Sequence, residues 1–329
     1  MSLDFCQELD HNIVRVDTGY DRPNLAAVYL IQAGDHAAFV DTGTYHCVPR
    51  FLQALDHYEI ARTNVDYVIP THAHLDHAGG AGELMRQLPH ARLVAHPRAA
   101  PHLIDPTRLI AGTSAVYGEA GFRQRFGEVV PVPAQRVVEA ADGFKLELNG
   151  RPLEFVDSPG HARHHFCIYD AESRGFFVGD TFGISYREFD TDNGPFIFAT
   201  TTPPQFDPGA WFHTLDRLLS YSPQRMYLTH FGGVANVPAL AQKLRESIQA
   251  FVDIAIAAAG DNPERRVRIQ QRMLDQLLYG LRAHGCALTT ERCGELLATD
   301  VELNTQGLKA WLDRRERMAQ QARPESGRS

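Results

Sequence analysis

Thr71-His72-Ala73-His74-Leu75-Asp76-His77 places three imidazoles and a carboxylate within six residues. The run before it, Val65-Asp66-Tyr67-Val68-Ile69-Pro70, is β-branched and aromatic with a closing proline, which predicts a short buried strand. The run after it, Ala78 to Gln87, reads as the start of a helix. The cluster therefore sits on a strand-to-helix loop, where side chains can converge. His72 and His74 are two apart and share a side in extended backbone. Asp76 and His77 follow the turn and can face a second point nearby. That spacing suits two metal ions better than one. A single loop histidine is usually just solvated; four potential ligands in so short a window are not explained that way. Such a motif needs partners from elsewhere in the chain.

Composition narrows the setting. A chain of 329 residues can bury a large core and holds about two domains. The 44% hydrophobic and 22% charged content is that of an ordinary globular protein. A net charge of -8 argues against binding nucleic acid or anionic membranes. No apolar run reaches the roughly 18 residues that a membrane span needs. Met1 to Asp10 carries acids where a signal peptide would carry basic and then apolar residues. The cysteines, Cys6, Cys47, Cys167, Cys286 and Cys293, are odd in number and lack close CxxC spacing, as expected of reduced thiols in a cytoplasmic protein. Sixteen histidines are many for this length.

Strands are predicted at Asn12–Asp17, Leu25–Ile31 and Ala37–Val40, the last ending at Asp41-Thr42-Gly43. A helix follows over Cys47–His57, because Val48, Phe51, Leu52 and Leu55 fall at helical offsets. Beyond the histidine loop come a strand at Ala91–Ala95 and helix-like pieces at Pro97–Leu103 and Ser114–Phe126, a region able to wall a cleft. Strands recur at Arg136–Glu139, Phe144–Leu148 and Leu153–Val156, with a hairpin turn at Asn149-Gly150. Ser158-Pro159-Gly160-His161 is a second loop that carries an imidazole. Strands at His165–Tyr169 and Gly175–Val178 lead to Gly179-Asp180-Thr181. Residues 182–206 read as a long irregular segment, which is usually functional. An amphipathic helix at Asp207–Tyr221 and a strand at Gln224–Leu228 lead to Thr229-His230. From Pro238 onward only helices are expected: Ala239–Ala259, Pro263–His284, Thr289–Thr299 and Thr305–Gln320. Gly260-Asp261-Asn262-Pro263 reads as a break with an N-cap, and Arg323 to Ser329 as a disordered polar tail.

Five strand ends thus offer an acid or a histidine: Asp41, the His72–His77 cluster, His161, Asp180 and His230. This pattern, HxHxDH followed by Gly-His, Gly-Asp and a final His, resembles the metallo-β-lactamase superfamily across residues 12 to about 235, with a glyoxalase II-like character. The resemblance implies an α+β fold of four layers (αββα) with a C-terminal helical extension, divided into a catalytic domain at 1–235 and a helical region at 236–329. It implies that His72, His74 and His161 hold one metal, that Asp76, His77 and His230 hold a second, and that Asp180 bridges them. Zn²⁺ suits these donors, and Fe²⁺ or Mn²⁺ would also. Asp76 would also orient the attacking water and take its proton. Asp41 would match the family's supporting acid, which holds ligands without binding metal.

The implied activity is a dinuclear hydrolase acting on a small ester-like substrate: a thioester, a lactone or another activated carboxyl derivative. The alternative within the fold is an oxidoreductase resembling the persulfide dioxygenases, which use a single iron. Glyoxalase II and related branches often read G-H-T-x-G-H where this chain has Gly160-His161-Ala162-Arg163-His164-His165, and no match to the glutathione-binding basic residues can be placed. His165 reads as structural. Arg163 and His164, beside His161, and Tyr186 and Arg187, after Asp180, are candidates for substrate contact. The expected partner is a small molecule, and the terminal helices would either pair two copies or cover the core.

Overall fold

The computed structural model describes residues 3–259 and 264–321. Apolar alternation builds two sheets. The first runs in sequence order: β1 (Cys6–Leu9), β2 (Ile13–Asp17), β3 (Ala27–Ala33), β4 (His36–Val40), β5 (Val65–Ile69), β6 (Arg92–Ala95) and β7 (Val137–Glu139). Pairing is antiparallel up to β4 and parallel beyond it. Parallel neighbours need crossovers. These are α1 (Val48–His57), then α2 (Leu75–Ala78) with α3 (Ala81–Gln87), then α4 (Ala100–Ile104) with α5 (Thr107–Phe126).

The second sheet holds β8 (Lys145–Leu148), β9 (Arg151–Asp157), β10 (Phe166–Asp170), β11 (Gly175–Gly179), β12 (Arg225–Leu228) and β13 (Gly232–Val234), in the order β13-β12-β11-β10-β9-β8. β11 and β12 are its parallel pair, connected through α6 (Pro208–Ser220). Then come α7 (Val237–Ala257), α8 (Arg265–Ala283) and α9 (Thr290–Gln321).

Three apolar interfaces stack these elements into four layers. Tyr29, Ile31, Val40 and Ile69 of the first sheet meet Phe155, Phe166, Phe177 and Tyr227 of the second. Each of those phenylalanines is buried, which contributes about 1.5–3 kcal/mol apiece. The opposite face of the first sheet packs Leu30 and Phe39 on Phe51, Leu55, Leu84 and Met85. The outer face of the second packs Val178, Met226 and Leu228 on Trp211 and Leu215 of α6 and, in the same cluster, on α7, α8 and α9. Arg151 adds a polar tie between the sheets. It grips Asp170 with two nitrogens, at 3.0 and 2.6 Å, and donates to the carbonyls of His11 and Gln32.

The α+β expectation holds, with local differences. β1 and β13 are additional strands: one is a half-exposed edge and the other is two glycines and a valine. The helix expected from Ser114 begins at Thr107 and is kinked at Gly118, whose φ of 72° lies outside the helical region. The two helices expected at 289–299 and 305–320 are one continuous α9. The expected break at 260–263 and the tail at 323–329 fall outside the described residues. Among the described residues, no helix is long and apolar enough to cross a membrane.

Candidate metal centre

Strand direction explains why distant residues meet. β4 and β5 are parallel, so Asp41 and His72 leave the first sheet at one edge. β9 and β11 both run antiparallel to β10, and β12 runs parallel to β11. His161, Asp180 and His230 therefore leave the second sheet together. Gly179 lets the two sets close up. Its φ is +47°, and a Cβ there would lie 2.5 Å from Thr71 Oγ1 and 2.6 Å from His165 Nε2, so a side chain would hold β11 away from the histidine loop.

Two ligand groups result. One atom each from His72, His74, His161 and Asp180 lie within 4.8 Å of one another, and the same is true of Asp76, His77 and His230. Asp180 touches both: Oδ2 is 3.2 Å from His161 Nε2, and Oδ1 is 3.1 Å from His77 Nε2 and 3.5 Å from His230 Nε2. Asp76 Oδ2 lies 3.4 Å from His230 Nε2 and 3.6 Å from His77 Nε2. His74 points Nδ1 at His161 Nε2, 3.0 Å away.

The outer nitrogens set the tautomers. A carbonyl or carboxylate oxygen can only accept, so a ring nitrogen bonded to one carries the proton. His161 Nδ1–H donates to the Thr200 carbonyl (3.0 Å), His230 Nδ1–H to the Leu25 carbonyl (2.8 Å), and His77 Nδ1–H to Asp41 Oδ2 (2.8 Å). In all three Nε2 is the nitrogen left facing inward. Asp41 ties three loops together: Oδ1 accepts from Thr71 N at 2.7 Å, and Oδ2 accepts from His77 and from Thr229 Oγ1 at 2.6 Å. His165 sits beneath Asp180, its Nε2 accepting from the Asp180 N–H at 3.3 Å.

The residues fit a metal. His72 Nε2, His77 Nε2 and Asp180 Oδ1 are buried with no hydrogen-bond partner; the His77–Asp180 approach is close but lacks hydrogen-bond geometry. An unpaired buried polar atom costs about 1–3 kcal/mol, and cations in the two groups would give all three atoms a partner. Imidazoles with carboxylates are the donors that divalent zinc, iron and manganese accept. Electrostatics separates the groups. Burial holds His72 and His74 well below the usual histidine value, helped by neighbouring imidazoles. Burial lowers His77 too, but Asp180, Asp76 and Asp41 overcome it and raise the ring well above its usual value. His230 is likewise raised, chiefly by Asp180 against burial. Burial would raise the carboxyls of Asp76 and Asp180, yet the facing histidines lower both.

The candidate substrate contacts scatter. His164 lies beside the first group, its ring 5.6 Å from His74, with Nδ1 accepting from the Ala73 N–H at 3.4 Å. Arg163 is exposed, with its backbone N–H on Gln205. Tyr186 is buried and donates to Asp300. Arg187 is engaged by Ser185 and Asp190. Sequence reasoning missed Asp300 and Asn304 of α9. It also missed Tyr20 and Tyr117, which pack around Phe126 and feel the charge of Asp76.

Comparison with known proteins agrees. Residues 21–230 match the model of the metallo-beta-lactamase superfamily, and the chain belongs to that family. It is similar to the metallo-beta-lactamase fold-containing protein ST1585 of Sulfurisphaera tokodaii, at 25% identity over 77% of this chain and 91% of that protein. The ST1585 crystal structure superposes with a TM-score of 0.61 at 20% identity, covering 92% of this chain and 99% of that one, which shows the shared fold. An atrochrysone carboxyl ACP thioesterase of Emericella nidulans is 23% identical over 75% of this chain and 66% of its own. A hydroxyacylglutathione hydrolase of Aeromonas hydrophila is 29% identical over 47% of this chain and 45% of its own.

Proposed function

We propose that this chain is a hydrolase that uses two divalent metal ions, most readily Zn²⁺, to cleave a small thioester or ester. The observation that carries this is Asp180, whose two carboxylate oxygens face separate groups of histidine ligands. His72, His74 and His161 would hold one ion, Asp76, His77 and His230 the other, and Asp180 both. Two such ions, when bound, lower the pKa of water and stabilise a developing oxyanion. The chain's own residues do the rest. Asp41 locks His77 in one tautomer and fixes the loops that carry His72 and His230. Thr200 does the same for His161. Asp76 orients the attacking water and accepts its proton. Relatives named as an ACP thioesterase and a hydroxyacylglutathione hydrolase support the choice of an acyl substrate. The complete second group favours two ions over the single-iron oxidoreductase. Elemental mass spectrometry on freshly purified protein tests this, with a thioester, lactone and aryl-ester panel. About two zinc, iron or manganese ions per chain with hydrolysis is expected; one iron per chain with oxygen uptake on a persulfide would overturn it.

A further inference from the structure

α7 and α8 face each other across a cavity of about 660 Å³, within the roughly 300–1,000 Å³ of small-molecule sites. None of the seven ligand residues lines it. Lys243, Ser247, Ala250 and Phe251 line it from α7, and Gln276, Leu277 and Gly280 from α8. Both sets follow the three- and four-residue spacing of one helix face. The floor is Phe196, Ile197 and Phe198, in the segment before Thr200. Small residues leave the room: a Cβ on Gly280 would lie 3.3 Å from the Phe196 ring.

Two donors on α7 are left over. Lys243 is exposed and, among the described residues, unpaired. Ser247 Oγ accepts from the Ala199 N–H at 3.0 Å, which leaves its own proton to donate. The two lie four apart, about one turn along the helix. Glu246 at the rim accepts from Gln242, which does not line the cavity, at 2.9 Å. An ammonium and a hydroxyl above an aromatic floor match a carboxylate on an apolar body. We propose that the cavity binds a monocarboxylic acid of that kind, its carboxylate on Lys243 and Ser247 and its body against Phe196, Phe198 and Leu277. Such a ligand bears on the first ligand group. The Ser247 bond holds Ala199. Asn304 of α9 clamps the same segment, its Oδ1 accepting from Thr201 N at 2.5 Å and its Nδ2 donating to the Ala199 carbonyl at 3.2 Å. Between them lies Thr200, whose carbonyl fixes His161. Filling the cavity therefore steadies the stretch of backbone that orients His161. A carboxylic acid is also what ester hydrolysis releases, so the site would sense product; that meaning, unlike the binding, rests on the hydrolase reading above.

Calorimetric titration of the full-length, metal-loaded chain with phenylbutyrate tests this, with phenylbutanol as the uncharged control. The metal-free chain is titrated alongside, which separates the cavity from carboxylate binding to the ions. One phenylbutyrate per chain is expected in both forms. Lys243→Gln changes an exposed side chain and should weaken phenylbutyrate at least about tenfold, the worth of one hydrogen bond to a charged group, while phenylbutanol binds as before. Ala250→Trp, which fills the space between the helices, should remove both ligands, with circular dichroism confirming that it folds. Bound phenylbutyrate should also slow the loss of one ion per chain to a chelator, and should not do so in Ala250→Trp. Equal affinity of wild type and Lys243→Gln for phenylbutyrate, or binding to the metal-loaded chain alone, would overturn the site. Unchanged chelator loss would overturn its link to His161. Ester hydrolysis by a chain that takes no phenylbutyrate would overturn this inference and leave the hydrolase reading standing; binding without hydrolysis would uphold the site and overturn its reading as a product sensor.

Discussion

The two ligand groups share Asp180 but solve the problem of buried charge differently. The first, around His72, His74 and His161, is mostly imidazole. Burial and neighbouring rings lower all three histidines, so they are neutral and ready to donate lone pairs. The second sets His77 and His230 against Asp76, Asp180 and Asp41, and the carboxylates raise both rings. The first offers neutral donors and the second offers negative charge. A cation would need no proton release in the first group and would displace protons from the second.

Removing the shared ligand should have the largest effect. Asp180→Ala takes an oxygen from both groups, so metal should fall toward zero per chain and hydrolysis by at least about 10³-fold, since catalysis by metal is worth several kcal/mol. His230→Ala touches the second group alone and should leave about one ion per chain. Elemental analysis of the two variants, with circular dichroism to confirm folding, separates the cases. Loss of both ions in His230→Ala would show that the groups load as one unit.

Acid should sharpen the contrast on the first side. His164, buried against His74, is pushed down to about 4 from 6.5, mainly by burial and then by His161 and His102. The unfolded chain binds this proton first as pH falls. The stability from the neutral ring is thus full above pH 6.5 and is lost as pH falls toward about 4, at about 1.4 kcal/mol per pH unit. Urea unfolding of metal-free protein between pH 7 and 4 checks this. His164→Gln should lose up to roughly 3 kcal/mol less than wild type over that range; parallel curves would show that His164 takes no part.

How far each part was legible follows from how far apart its residues are. The His72–His77 ligands lie on one loop, and His161, Asp180 and His230 each follow an apolar strand, so local pattern sufficed. Asp41 showed itself as an acid at a strand end. The supports did not. Leu25 and Thr200 act through backbone carbonyls, which carry no residue signature. Asp300 meets Tyr186 across 114 positions. The gap expected between the helices ending at Thr299 and starting at Thr305 takes in Asn304, whose type of side chain usually competes for its own backbone. Here Asn304 spends its amide on Ala199 and Thr201 instead, and α9 runs through. β13 escaped because Gly232 and Gly233 carry no β-forming signal.

The smallest expected effect probes that same support. Gly307 lies three residues after Asn304, where α9 passes so near the 199–202 segment that a Cβ would lie 1.6 Å from the Thr201 carbonyl oxygen. That neighbour is backbone and cannot rotate away. Gly307→Ala must push the helix outward, at about 1–3 kcal/mol as for other overpacked sites, although alanine favours helix by about 1 kcal/mol. The shift strains the Asn304 clamp, then the Thr200 carbonyl that fixes His161. Only the first group hangs on that path, because His77 and His230 are held by Asp41 and Leu25. The variant should therefore unfold at lower urea and lose the His161-side ion more readily to a chelator, with the second ion retained at the wild-type rate. Equal weakening of both ions would mean that α9 supports the whole centre, and the contrast between the groups would then be one of charge alone.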